Sequence, residues 1–433
     1  MVILNYVSII GGLLMLKKEN EAGKNFNWKV LIIITLATMT GGLYRNGIMT
    51  LFPFIQAEYG LGKAQLGLYS TFIYISSVSV SIFSGWIADK WGTKKSMIAG
   101  LSCMGVFIFL HSYSINFVMM LLLASATGLG LSIILPTGTK GVAEWISKEN
   151  RSTAVGIITL GLSLGGVIAA SILPWTASAA GWKAAVILLS FTYFVVSLIF
   201  FIFYKNKKSA DSEGKDGEKK DKNKKPAISV QLKILFKDKY LLALCFLGIM
   251  FGVASGITAT HFTLYLYSDF GFSEVAAGFG FMVFQLGSMA GRPGWGILND
   301  RFLGGNDKTG FNLLAVLIIL TAAVLSFLSK LDPHISILLF IAFVLGSVGR
   351  GWNGLYFSAV SKQLGDENTG IGVGLSLLFV RFGIIIGPPI FGLIADKTGS
   401  YSLSWLIMAV YTVIALFTSN ILLSKSEKSA VKY

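Results

Sequence analysis

Apolar stretches recur along the whole of this chain, each close to the ~20 residues that a helix rising 1.5 Å per residue needs to cross a bilayer. Twelve are found, near 30–56, 64–88, 96–113, 117–144, 153–177, 184–204, 241–266, 273–299, 311–329, 335–361, 371–395 and 401–423. Lipid offers the backbone no hydrogen-bond partner, so stretches of this length satisfy themselves as helices. Composition agrees, with 54% hydrophobic and 13% charged residues, about half the charged share of a soluble domain. The expectation is an all-α membrane protein of twelve transmembrane helices in two six-helix bundles, with pseudo-symmetric halves.

Between the sixth and seventh stretches lies KNKKSADSEGKDGEKKDKNKKP, a run of Lys, Asp, Glu and Gly too polar to bury a core. The expected organisation is a cytoplasmic N-terminal segment 1–28, a bundle 29–204, a charged cytoplasmic linker 205–239, a bundle 240–424 and a tail 425–433. The first sixteen residues are apolar but too short to span, and lack the basic lead and cleavage site of a signal peptide. Met15 is read as the start and residues 1–14 as an extension; an interfacial helix is the alternative. Cys103 and Cys245 show neither CxxC nor Cys/His ligand spacing, so no metal and no cofactor are expected.

With both termini placed in the cytoplasm, 27 of the 36 Lys and Arg fall on the cytoplasmic side. Only Lys63, Lys183, Lys330 and Lys397 fall on the other. The positive-inside rule therefore places a multi-pass protein in the cytoplasmic (inner) membrane with both ends inside. It also explains the net charge of +15 as topology and lipid-surface charge, with no nucleic acid partner.

Five cations remain: Arg45, Lys140, Arg292, Arg350 and Arg381 lie inside the apolar stretches. A charge at the bilayer centre costs roughly 3 kcal/mol. The stretches hold almost no carboxylates, Glu144 near one end excepted, so an anionic substrate is the best reason for these cations. Guanidinium offers a planar fork matched to carboxylate. Lys140 has Glu144 at i+4 and is read as a structural ion pair. Arg350, between Gly349 and Gly351, is read either as a substrate contact or as bonded to carbonyls of a loosened helix. Tyr44, Trp352 and Tyr356 are candidate cavity aromatics. His261 is a candidate for proton coupling or a packing residue, while His111 and His334 are placed near the outer surface. No catalytic cluster appears, so an enzyme is not expected.

Helix 2 ends in Gly85-Trp-Ile-Ala-Asp89-Lys90-Trp-Gly92-Thr-Lys94-Lys95, helix 8 in Gly296-Ile-Leu-Asn-Asp300-Arg301, and helix 11 in Gly392-Leu-Ile-Ala-Asp396-Lys397-Thr-Gly399. Helices 5 and 11 share Gly161-LSL-Gly165 and Gly383-III-Gly387, the latter followed by Pro388-Pro389. Such recurrence on helices 2, 5, 8 and 11 suits a nested three-helix repeat. Residues 85–95 match the signature loop of the major facilitator superfamily, and the resemblance covers about 28–425. It implies alternating access, with helices 3, 6, 9 and 12 peripheral. It also makes Gly85, Asp89, Lys90, Gly92, Lys94, Lys95, Gly296, Asp300 and Arg301 a conformational latch. Gly383, Gly387, Pro388 and Pro389 are read as a flexing element of helix 11.

Arg292-Pro293 in helix 8 and Arg381 in helix 11 resemble the monocarboxylate transporter and oxalate:formate antiporter group, which implies that these two arginines bind a carboxylate. Tyr44-Arg45 resembles instead the anion:cation symporters of sugar acids and organophosphates. In helix 4, Thr127-Gly128-Leu-Gly130 keeps the family's glycines but lacks its arginine, which counts against simple proton symport. The expected function is a monomeric secondary transporter of a small mono- or dicarboxylate, by antiport or proton-coupled symport. The substrate-binding candidates are Arg292, Arg381, Arg45, Arg350, Tyr44 and Trp352. Sugar acids or phosphate esters are the alternative; a drug exporter would want membrane carboxylates.

Overall fold

The computed structural model describes residues 27–206, 238–331 and 333–430. Most of the linker, the first 26 residues and the last three lie outside them. Twelve α-helices and one short 3-10 turn, Lys148–Asn150, make up the described chain. α1 (Trp28–Thr50) and α2 (Phe52–Tyr59) form span 1, and α3 (Lys63–His111) carries spans 2 and 3. Spans 4 to 9 are α4 (Phe117–Trp145), α5 (Arg151–Ala180), α6 (Trp182–Phe203), α7 (Lys239–Phe270), α8 (Glu274–Phe302) and α9 (Asp307–Leu328). Span 10 comprises α10 (Ile335–Gly351) and the start of α11 (Asn353–Thr398), which continues as span 11; α12 (Ser402–Ala430) is span 12.

Nine of these segments are long and apolar enough to cross a membrane on composition alone. The other three, spans 1, 2 and 8, carry Arg45, a Ser-rich run and Arg292. They are the polar members of the bundle. Helix starts are written locally: the side chains of Asn27, Asn116, Asp238, Ser273 and Asn306 each accept from a first-turn N–H, as N-caps do. The join of spans 2 and 3 departs from the expected gap. α3 turns its corner at Gly92, with φ 76° and ψ 164°, a left-handed region open only to glycine at low cost. The glycine at 92 in the 85–95 loop thus has a backbone reason here.

Apolar burial does little to join helices in lipid; close backbone approach does more. A Cβ at Gly42 would sit 1.8 Å from the Leu162 carbonyl, joining α1 to α5, and one at Gly252 would sit 2.1 Å from that of Val380, joining α7 to α11. Spans 1/5 and 7/11 are equivalent in a repeat of six, so the two halves are built alike. Spans 6 and 12 turn Phe191, Leu198 and Phe201, and Val410, Ile414 and Phe417, outward, as lipid-facing helices would.

The two ends of the bundle differ. At the far end, opposite the charged linker, the halves are tied together. Ser70 and Thr260 hydroxyls meet at 2.8 Å, Thr71 donates to the Ile385 carbonyl at 2.6 Å, and Pro388–Pro389 pack on Gly67. A further bond between the halves, Asn46 with Arg350, lies at mid-membrane. Replacing Gly42 by Ala forces α1 off α5 and costs about 1–3 kcal/mol. The melting temperature of purified protein is expected to fall by several degrees, whereas Gly156→Ala, with open space at its Cβ, leaves it unchanged.

Candidate functional site

Arg45 (α1), Arg292 (α8), Arg350 (end of α10) and Arg381 (α11) converge from four helices of both halves. Arg45 is the hub: it is close enough to Arg292, Arg350 and Arg381 to repel each, and Arg292 also repels Arg350. The Nε atoms of Arg45 and Arg292 are buried without a hydrogen-bond partner. The ion pairs among the described residues are Lys140–Asp89, Lys183–Glu58 and Lys362–Asp307, and none involves these arginines. Four like charges thus gather where desolvation and repulsion both oppose them.

Arg350 alone has found partners, and they are neutral. One Nη donates to Asn46 Oδ1 at 2.8 Å and to Gln285 Oε1 at 3.0 Å. Asn46 belongs to the first half, so this bond spans the cleft at mid-membrane. Asn46 is oriented by its own Nδ2, which donates to the Gly42 carbonyl at 3.3 Å. Gln285 lies over Gly166, where a Cβ would sit 2.1 Å from its Nε2. Of the two readings for Arg350, bonding to backbone carbonyls is not what the structure shows.

Sequence reasoning missed Asn46, Gln285 and Tyr74. A signal existed for two of them: Asn46 adjoins Arg45, and Gln285 lies seven residues, two helical turns, before Arg292 and so on the same face. Tyr74 on span 2 lies near both Arg350 and Arg381; no pattern in the sequence distinguishes it from other aromatics.

Several expected placements are corrected. Tyr44 is fully buried, its hydroxyl 3.0 Å from that of Tyr69. Tyr69 in turn lies 2.9 Å from His111 Nε2, and His111 Nδ1 lies 2.7 Å from the Phe107 carbonyl. His111 is therefore buried inside the bundle at the far end of span 3. Its neighbourhood is polar enough to hold it because the two spans of α3 supply a hydroxyl and a carbonyl. Trp352 stacks on Phe251 with ring centroids 5.1 Å apart, and its Nε1 donates to Ser255 Oγ at 2.9 Å. It fills the core of the second half and does not line the cleft. Tyr356 likewise is buried, donating to the Leu244 carbonyl at 2.9 Å.

Lys140 does pair, but with Asp89 at 2.8 Å. Glu144 is taken instead by the hydroxyls of Thr93 and Tyr204, so the i+4 partner is unavailable. Within the latch loop, Lys90 lies over Trp86 and Lys94 over Phe201, leaving Lys140 as the cation on Asp89. Lys95 makes no described ion pair, and the burial of Gly85 lies outside the described features. In the helix 8 copy, Asp300 and Arg301 are exposed and Gly296 has open space. The carboxylate that pairs there is Asp307, with Lys362 at 3.1 Å. His261 has both ring nitrogens engaged, by the Tyr401 hydroxyl at 3.0 Å and the Pro388 carbonyl at 2.8 Å. Gly383 and Gly387 pack against α7. No cluster of His, Cys, Asp and Glu among the described residues could hold a metal.

The sequence model of the Major Facilitator Superfamily matches residues 34–377 and 244–432, and the chain belongs to that family. It is a multi-pass membrane transporter, not an enzyme. The hexuronate transporter of Bacillus subtilis (strain 168) is 22% identical, over 89% of this chain and 93% of its own. A probable sulfoacetate transporter of Cupriavidus necator is 25% identical over 91% and 94%, and a probable nitrate transporter of Staphylococcus aureus (strain JH9) 26% over 91% and 96%. Among solved structures, a bacterial homologue of the human lysosomal transporter Spinster, inward-facing and occupied, superposes with TM-score 0.75 at 14% identity, covering 93% of this chain and 97% of that one. The nucleoside transporter NupG gives TM-score 0.70 at 15% identity, covering 91% and 98%. These last two likenesses speak to the fold alone.

Because Arg350 and Asn46 meet in a buried site, the pair should be coupled. In a double-mutant cycle of Asn46→Ala and Arg350→Met, the interaction energy from denaturation of the purified protein is expected at about 1 kcal/mol or more.

Proposed function

We propose that this chain is a secondary active transporter of a small organic anion bearing a carboxylate, working by alternating access. The observation that carries the reading is the arginine cluster, whose two buried Nε atoms lack partners and whose charge meets no carboxylate. An anion entering between Arg45, Arg292 and Arg381 would relieve repulsion among all of them. Charge-assisted hydrogen bonds in such a site are about twice as strong as neutral ones. The relatives' names fit: hexuronate, sulfoacetate and nitrate are all anions. They move the emphasis from simple monocarboxylates toward sugar acids, the class suggested by Tyr44-Arg45. Asn46 and Gln285 then supply amides for the hydroxyl groups of such a substrate.

The protein sits in the inner membrane with the charged linker and both ends of the chain on the cytoplasmic side, on the positive-inside argument. The far end is then the external face, and it is the end at which the halves are tied together. An empty carrier would have to move its unpaired arginines through the closed state, which disfavours return without cargo. Exchange of anions, or co-transport of a proton that loads with the substrate, avoids that step. A drug or cation exporter would need carboxylates facing the cleft; those described sit at helix ends.

The test is uptake of labelled galacturonate, glucuronate and lactate into proteoliposomes. Arg45→Ala and Arg292→Ala are each expected to lower kcat/KM by about a hundredfold or more, the loss of a charged hydrogen bond at ~3 kcal/mol. Arg45→Lys should recover only part, since the ammonium lacks the fork. Uptake that survives both alanine variants would overturn the assignment.

A further inference from the structure

The Gly-x-x-x-Asp pattern that ends span 2 also ends span 11, and the second copy is engaged in this structure. Asp396 accepts from the first two N–H groups of α3: Lys63 N–H on Oδ1 at 2.7 Å and Ala64 N–H on Oδ2 at 2.8 Å. Donor and acceptor belong to opposite halves. The start of α3 has only Gly62 as N-cap and no side-chain cap of its own. A helix start leaves its first N–H groups unsatisfied and carries partial positive charge. A carboxylate from the other half completes it.

The close approach is built in. A Cβ at Gly392 would sit 2.5 Å from the Lys63 carbonyl, and one at Gly62 would sit 2.8 Å from Asp396 Oδ2. The surroundings brace the receiving side. Lys63 Nζ lies 4.4 Å over the Tyr401 ring, Tyr401 N–H donates to Asp269 at 2.8 Å, and its hydroxyl meets His261. His261 in turn holds the Pro388 carbonyl, beside the surface where Gly67 packs. So His261 fixes the face onto which span 2 closes.

Spans 2 and 11 run antiparallel, so the end of each lies beside the start of the other. At the linker end of span 2 the equivalent carboxylate, Asp89, is turned onto Lys140 of its own half at 2.8 Å. Lys140 and Asp89 border a cavity of about 320 Å³ with Ala88, Pro136, Thr139 and Ala143.

We propose that Asp396 is the latch that holds the far end shut, by capping the start of span 2, and that it alternates with the Asp89 latch at the linker end. Lys140 retains Asp89 while the far latch is closed. The halves then exchange one carboxylate–helix contact for another as they rock, and neither end-state is left with both latches made.

The test uses full-length protein in lipid nanodiscs without substrate, so it stands apart from the anion reading and needs no assigned sidedness. In a background with Cys103→Ala and Cys245→Ala, Ser70→Cys reports opening of the far end through its rate of maleimide labelling. Asp396→Asn is expected to raise that rate about tenfold, the loss of charged hydrogen bonds worth ~1.5 kcal/mol. Lys63→Pro removes the N–H from the other partner at a helix position that accepts proline, and should do the same. Lys63→Ala, which keeps the N–H, should do much less. Asp89→Asn should lower the rate, and adding it to Asp396→Asn should bring the rate back toward the parent. Parent-like labelling in whichever of Asp396→Asn and Lys63→Pro keeps the parent melting temperature would overturn the proposal. So would Asp89→Asn raising the rate as Asp396→Asn does.

Discussion

Uncompensated positive charge at mid-membrane is the constraint around which this protein is arranged. Arg45 repels Arg292, Arg350 and Arg381, and none of them takes part in a described ion pair. Burying charge is tolerated when hydrogen bonds and counter-charge are supplied together. Here the protein supplies a minimum of the first through Asn46 and Gln285; on the proposed function the second would come with the cargo. The tight glycine contacts between α1 and α5 and between α7 and α11 make the scaffold stiff enough to hold the four cations in place against their repulsion.

The Asn46–Arg350 bond gives this charge a mechanical role. It crosses the cleft at the level where the far-end contacts begin, so the arginine cluster and the closure of that end share a residue pair. A substrate that draws on Arg350 would alter the same contact that helps set the angle between the halves. On the proposed function, binding and rocking would be linked through one guanidinium, since a ligand shifts an equilibrium by its differential affinity for the two states.

Much of this was legible in the sequence because lipid imposes a strict length on helices and forbids idle charge. The twelve spans, the repeat and the convergent arginines follow from those two facts. The partners of individual side chains did not follow. Lys140 bonds Asp89 rather than Glu144 because span 2 passes beside span 4, a tertiary fact that i, i+4 reasoning does not contain. His111 closes span 3 beside an interhelical loop, a position that does not reveal its burial, and Tyr69 and a carbonyl hold it inside the bundle. Trp352 lies two residues after Arg350 and reads as cleft, yet at the join of α10 and α11 it stacks on Phe251. Asn46 and Gln285 were overlooked because neutral amides cost little in a hydropathy reading, although among the described residues they hold the one arginine of the mid-membrane four that has hydrogen-bond partners.

The central claim is recognition of an anion by its charge. Calorimetric titration of the purified protein with galacturonate and with the corresponding neutral sugar separates the carboxylate from the rest of the molecule. The account predicts binding of the acid, none of the sugar, and loss of acid binding in Arg45→Ala. Equal binding of acid and sugar, or acid binding unchanged in Arg45→Ala, would contradict it.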